Sequence, residues 1–156
     1  MAQVLVPAEI ADHTTCLLSR LGQAMYRLTE DVFAPFALRT RHYTVLTLLA
    51  ASGPTGQHAL SAALRIDPAT MVSVIDDLEA LSCAERHRDI LDRRRILVAI
   101  TDKGQDTLTQ MDAALTEMND HLLADLDSAQ RDTLHQLLRT LSDGPTVPAA
   151  LDRARS

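Results

Sequence analysis

Residues 67–104 read DPATMVSVIDDLEALSCAERHRDILDRRRILVAITDKG, and two different periodicities follow one another within them. Asp67 can accept from the N–H groups of a helix start, and Pro68 suits the first helical position, where a missing N–H loses nothing. Met71, Val74, Ile75 and Leu78 then recur at i, i+3, i+4 and i+7, the buried stripe of an amphipathic helix. After Ser82 the helical period ends. Residues 83–88 and 96–100 are short strand-like runs, the second β-branched, and the polar stretch RDILDRRR supplies a turn between them. A helix with one free face, followed by a hairpin tipped with arginine, is the pattern of a winged nucleic-acid-binding unit.

The formal net charge of −6 has the wrong sign for a uniformly basic binder, so its distribution has to decide. Residues 1–38 hold 2 basic and 4 acidic side chains, residues 39–103 hold 9 and 8, and residues 104–156 hold 4 and 9. Between Arg86 and Arg95 five arginines face two aspartates. That is a local basic footprint on an acidic body. The same cluster also fits a solvated loop.

Upstream, a helix of about 20 residues carries Leu17, Leu21, Met25, Leu28 and Val32 on one stripe, and Pro35 ends it. Thr40 can cap a second helix bearing Tyr43, Leu46, Leu49 and Ala50, stopped by Ser52-Gly53-Pro54. Thr55 can cap a short third helix with Ala59, Leu60, Ala63 and Leu64 turned inward, and a turn at Ile66 leads into the helix that starts at Pro68. Two helices joined by a tight turn, the second exposed at its start, form a helix-turn-helix pattern. Downstream, Thr101 can cap a long helix with Leu108, Met111, Leu115, Met118, Leu122 and Leu126. Asp127 and Gln130 form a capping box for another, whose Leu134, Leu137, Leu138 and Leu141 repeat the helical stripe until Asp143-Gly144-Pro145.

The expected class is therefore mainly α with a small β-hairpin wing. Residues 1–38 supply an N-terminal helix, 39–103 a winged helix-turn-helix domain, 104–145 C-terminal helices and 146–156 a flexible tail. The terminal stripes exceed what one small winged unit can cover, and a twofold dimer burying Leu17, Leu122, Leu134, Leu137, Leu138 and Leu141 resolves this; an intramolecular bundle is the alternative.

Composition excludes much else. With 46% hydrophobic residues and a mean hydropathy of −0.02, the chain has no apolar run of the roughly 18 to 20 residues a membrane span needs. Its start lacks a basic signal-peptide region, so a cytoplasmic location and no membrane partner are expected. Cys16 and Cys83 make no disulfide framework, and the six histidines lack zinc-ligand spacing, so neither metal nor cofactor is expected. No phosphate-binding glycine loop, nucleophile elbow or HExxH motif points to an enzyme.

Taken together, these segments resemble the multiple antibiotic resistance regulator (MarR) family of bacterial transcription factors over residues 12–143. The sharpest likeness is DRRRILVAITDKG at 92–104, similar to the family's Asp-x-Arg wing followed by a strand and a Thr-x-x-Gly helix start. LLSRL at 17–21, YTVLTLLA at 43–50 and LEALSCAERHRD at 78–89 fit in place and spacing. The resemblance implies a homodimer on double-stranded DNA with a pseudo-palindromic operator, a transcriptional regulator, most simply a repressor released by a small-molecule ligand. A winged-helix interaction module with weak or no DNA binding, and a redox regulator acting through Cys16, are the alternatives.

By the same resemblance, Arg94 is the minor-groove arginine and Asp92 the carboxylate that orients the wing, with Arg88, Arg93 and Arg95 on phosphates. Pro68, Ala69, Thr70 and Ser73 occupy the turns that face base edges. Arg39, Thr40, Arg41, Thr55 and Gln57 lie at helix starts suited to phosphate. His13, Cys16, Arg20 and Tyr43 could line a crevice for a small aromatic anion, with Arg20 as its counter-charge. Cys16 lies one residue from the sensing cysteine of the organic-hydroperoxide branch and reads either as that sensor or as a buried helix residue. One departure stands out: the recognition helix carries Asp76 and Asp77 and no Arg or Lys. These acids must turn away, find a cation, or accept from cytosine, and Asp77→Ala is expected to leave DNA binding unaffected.

Overall fold

A computed structural model describes residues 4–154. In chain order it has α1 (Ala8–Ala11), α2 (Thr14–Phe33), a 3-10 turn (Ala34–Phe36), α3 (Thr40–Ser52), β1 (Thr55–Gly56), α4 (Gln57–Leu64), α5 (Pro68–Ala80), β2 (Ala84–Arg88), β3 (Ile96–Ile100), α6 (Asp102–Leu122), α7 (Ser128–Asp143) and α8 (Thr146–Ala154). The three strands form an antiparallel sheet in the order β1, β3, β2. The hairpin register runs from Ala84 opposite Ile100 to Arg88 opposite Ile96, and Thr55 sits opposite Val98.

The chain divides into two units, residues 1–115 and 116–156. The core of the first is mostly apolar: Phe33, Leu46, Leu60, Met71, Ile75, Leu78 and Met111 are fully buried, with His42 and Ser61 the buried polar residues among those described. Sidedness along α5 explains its place there, because Met71, Val74, Ile75 and Leu78 all turn inward and leave the opposite face open. The division after residue 115 reflects Leu108 and Met111 of α6 joining the winged core, so the helix start packs with that unit.

Several helix ends behave as their residues dictate. The Asp67 carboxylate accepts from the Thr70 N–H at 2.9 Å, and its bonds to the Thr70 side chain and backbone hold its pKa below the ordinary range. Asp127 and Gln130 bond reciprocally at 2.9 and 3.0 Å. Thr101 Oγ1 accepts from the Gly104 N–H at 3.0 Å and donates to the Ser82 carbonyl at 2.7 Å, tying α6 to the end of α5. A side chain at Gly104 would collide with the Cys83 carbonyl oxygen and approach Ile100 Cγ1 to 2.8 Å. The α5 terminus closes with Ser82 left-handed at φ 58° and the Cys83 N–H on the Leu78 carbonyl at 2.8 Å, a Schellman arrangement.

Other ends differ from expectation. Thr40 does not cap α3: its N–H and hydroxyl both donate to Glu30 Oε1, at 2.8 and 2.6 Å, and Arg39 takes the cap position. Thr55 does not cap α4: Gly53, at φ 74°, turns the chain so that Thr55 pairs with β3, and the helix starts after Gly56. In α4 the buried pair is Leu60 and Ser61, while Ala59 and Ala63 face outward. Leu126 lies in the turn beyond α6. The expected flexible tail is helical from Thr146 to Ala154, since Pro148 sits in a first turn where no helical N–H is needed and Arg153 complements the last turn. Residues 155–156 of that tail, and residues 1–3, lie outside the described residues.

Candidate nucleic-acid interface

The hairpin loop is held by its own acids. Asp92 Oδ1 accepts from the Arg94 N–H at 3.1 Å and its carbonyl from the Arg95 N–H at 2.8 Å. Asp89 Oδ1 accepts from the Leu91 N–H at 2.8 Å, and the Asp89 N–H donates to the Arg95 carbonyl at 3.0 Å. The turn is thus fixed by aspartates at both ends, which leaves the guanidiniums outside. The Arg94 side chain is 97% exposed, with Asp92 3.9 Å away, and Arg95 faces Asp89 at 3.9 Å. Arg88 and Arg93 are exposed as well. Sequence reasoning passed over the loop's two most exposed apolar residues, Ile90 at 92% and Leu91 at 96%. The signal was present, because neither fits the strand alternation on either side.

The outward face of α5 carries Pro68, Ala69, Val72, Ser73, Asp76 and Asp77, with Thr70 half-buried. Both acids have found partners within the protein, a cation for Asp76 and a ring N–H for Asp77. Asp76 Oδ1 lies 2.7 Å from an Arg86 guanidinium nitrogen, which also bonds Glu79 Oε2, while the Arg86 N–H donates to Glu79 Oε1 at 2.8 Å. Asp77 Oδ2 lies 3.2 Å from His42 Nε2, and His42 Nδ1 accepts from the Arg39 N–H at 2.9 Å. With Nδ1 serving as acceptor, the neutral ring donates through Nε2, and a second proton would have to face an N–H donor. Burial of His42 lowers its pKa, outweighing the pull of Asp77. Asp77 is thus the partner of a buried histidine, a structural role the sequence did not announce. Arg86 and His42 were not foreseen, since each bond joins separate elements and no local spacing announces it.

Of the helix-start residues, Arg39 and Arg41 are exposed. Thr40 is committed to Glu30: burial raises that carboxyl, but the Thr40 bonds with Arg39 and Arg41 nearby bring it below its ordinary value. Thr55 donates to the Gly53 carbonyl at 2.9 Å, and Gln57 is half-buried at the start of α4. The four crevice candidates do not share a bond. His13 precedes α2, Cys16 is half-buried in its first turn and Arg20 is exposed one turn on. Tyr43 instead packs its ring 5.1 Å from that of Phe33 and donates to Asp112 Oδ1 at 2.7 Å. Burial and that bond raise the phenol's pKa. Among the described residues no cluster of three or more metal-ligating side chains occurs, and no helix is long and apolar enough to cross a membrane.

A three-helix core with a two-stranded wing, an open helix face and an arginine loop defines a winged helix-turn-helix protein of the transcription-regulator class. The chain matches the model of the MarR family over residues 38–96. It is 23% identical over 137 residues to the HTH-type transcriptional repressor NicR of Pseudomonas putida, covering 88% of this chain and 87% of that one. The transcriptional repressor CouR, bound to a 23-mer DNA duplex, superposes with a TM-score of 0.78 at 28% identity, covering 90% of this chain and 99% of that one. Bordetella bronchiseptica BpsR, whose DNA binding is regulated by 6-hydroxynicotinic acid, gives 0.74 at 26%, covering 89% and 99%. The curated relatives it matches carry the names of regulators of transcription.

Proposed function

We propose that this chain is a homodimeric, DNA-binding repressor whose two wings enter minor grooves flanking a pseudo-palindromic site and which a small aromatic acid releases. The observation that carries this reading is the wing: three successive arginines, Arg93 to Arg95, held outward by a loop whose own backbone satisfies its acids. A guanidinium suits the electronegative narrow minor groove, and the exposed Ile90 and Leu91 can lie against deoxyribose walls beside it. Arg39 and Arg41 add cations for phosphate.

Dimerisation is supported by apolar side chains without cover in their own units. Leu137, Leu138 and Leu141 of α7 are exposed, as are Leu18, Leu21 and Leu28 of α2, while Leu17, Leu122 and Leu134 are half-buried. Leu126, Leu134 and Leu137 line an open apolar groove of about 420 Å³, and a second copy is the occupant that a twofold regulator would bring. The sign of regulation follows the relatives named as repressors, NicR and CouR, and the effector class follows BpsR. Arg20 on α2 is the counter-charge for its carboxylate.

The test is a titration of the gene's own upstream DNA at several salt concentrations, followed by a screen of aromatic acids against the complex. A specific, palindrome-dependent complex that such an acid dissociates supports the reading. Absence of a shift at low salt would favour a winged-helix interaction module, and release by peroxide in wild type but not in Cys16→Ser would favour a redox regulator.

A further inference from the structure

We infer that α5 reads thymine, through contacts with the thymine methyl group, and makes no bidentate contact with guanine or adenine. The inference rests on the DNA-binding reading and deepens it. Guanine is read in the major groove by Arg or Lys and adenine by Asn or Gln. None of these four residue types occurs in Pro68–Ala80. The cytosine amino group calls for a carboxylate, but Asp76 and Asp77 are engaged by Arg86 and His42. Aimed at that amino donor, either acid would also have to approach the phosphates that line the groove.

What the face does offer is methyl groups on a low profile. Ala69, Val72, Ser73 and Asp76 follow the i, i+3, i+4, i+7 spacing of one helix side, and all four are exposed. Val72 is 39% exposed, a β-branched aliphatic in a helix whose buried stripe lies elsewhere. Ser73 turns its hydroxyl back to the Ala69 carbonyl at 3.5 Å, so it presents mainly its Cβ. Small neighbours on either side let the helix backbone sit deep enough for Val72 and Ala69 to reach the C5-methyl that thymine alone projects into the groove. The DNA-bound CouR structure, matched over 90% of this chain, identifies duplex DNA as the occupant to test.

The experiment uses the full chain and the duplex it selects from random DNA. Each half-site thymine is replaced by deoxyuridine, which removes only the methyl, and binding is measured by competition anisotropy. At one or more positions affinity should fall about fourfold per methyl withdrawn from contact. Val72→Ala should bind the thymine and uracil duplexes alike, while Arg94→Ala should weaken both and keep the difference. Specific binding that ignores every thymine methyl would overturn this inference alone. Failure to select any sequence would overturn the DNA-binding reading, and this one with it.

Discussion

Arg94 stands in solvent with Asp92 its neighbour at 3.9 Å, so its removal should change binding and leave folding alone. Arg94→Ala is expected to weaken specific binding by about 1–3 kcal/mol and to lower the salt slope by about one, with an unchanged unfolding midpoint; titrations at four or five salt concentrations check this. Asp77 behaves in the opposite way. Truncating it to Ala leaves a buried His42 nitrogen without its acceptor and should lower stability by about 1 kcal/mol, while Asp77→Asn keeps an acceptor and restores most of it. His42 itself makes stability depend on pH. Its folded pKa lies below the ordinary histidine value of 6.5, so the unfolded chain binds the proton first. The contribution is complete above about pH 6.5 and is lost as pH falls through the folded value. Urea midpoints between pH 7.5 and 5 should decline, and His42→Gln should flatten that decline.

Among the elements, those fixed by neighbouring residues were legible in the sequence, and those fixed by distant ones were not. The start and buried stripe of α5 follow from Asp67, Pro68 and four apolar residues between positions 67 and 78, and the structure has them all. The hairpin followed from strand alternation around a polar turn. The two-residue β1 did not, because Thr55 and Gly56 are strand only by pairing with β3 across forty residues. Nor did the α3 start, where Glu30 draws Thr40 away from the cap. The site divides the same way: the arginines of the wing stand in one run, whereas the pairs that engage Asp76 and Asp77 join a helix to a strand and to another helix. Gly104 tests the α5–α6 junction. Gly104→Ala forces a methyl against the Cys83 carbonyl and should destabilise by about 1–3 kcal/mol. Ser82→Gly, relieving a left-handed serine, should stabilise by about 1 kcal/mol. Shifts in urea midpoint at constant m decide both.

For the whole molecule, the separation of charge is what makes an acidic chain a plausible DNA partner. A body of net charge −6 repels phosphate at long range, and the arginine wing must overcome that at contact. Affinity should therefore drop steeply as salt rises, since each phosphate neutralised releases counterions. Uncovered leucines on α2 and α7 leave the protomer apolar surface to bury, and the proposed dimer would set two wings on one duplex. The most direct measurement is sedimentation of the chain on a duplex carrying its selected site. Two protomers per duplex, with the complex weakened in Arg94→Ala, is the expected result; one protomer per duplex, or a complex indifferent to Arg94, would contradict it.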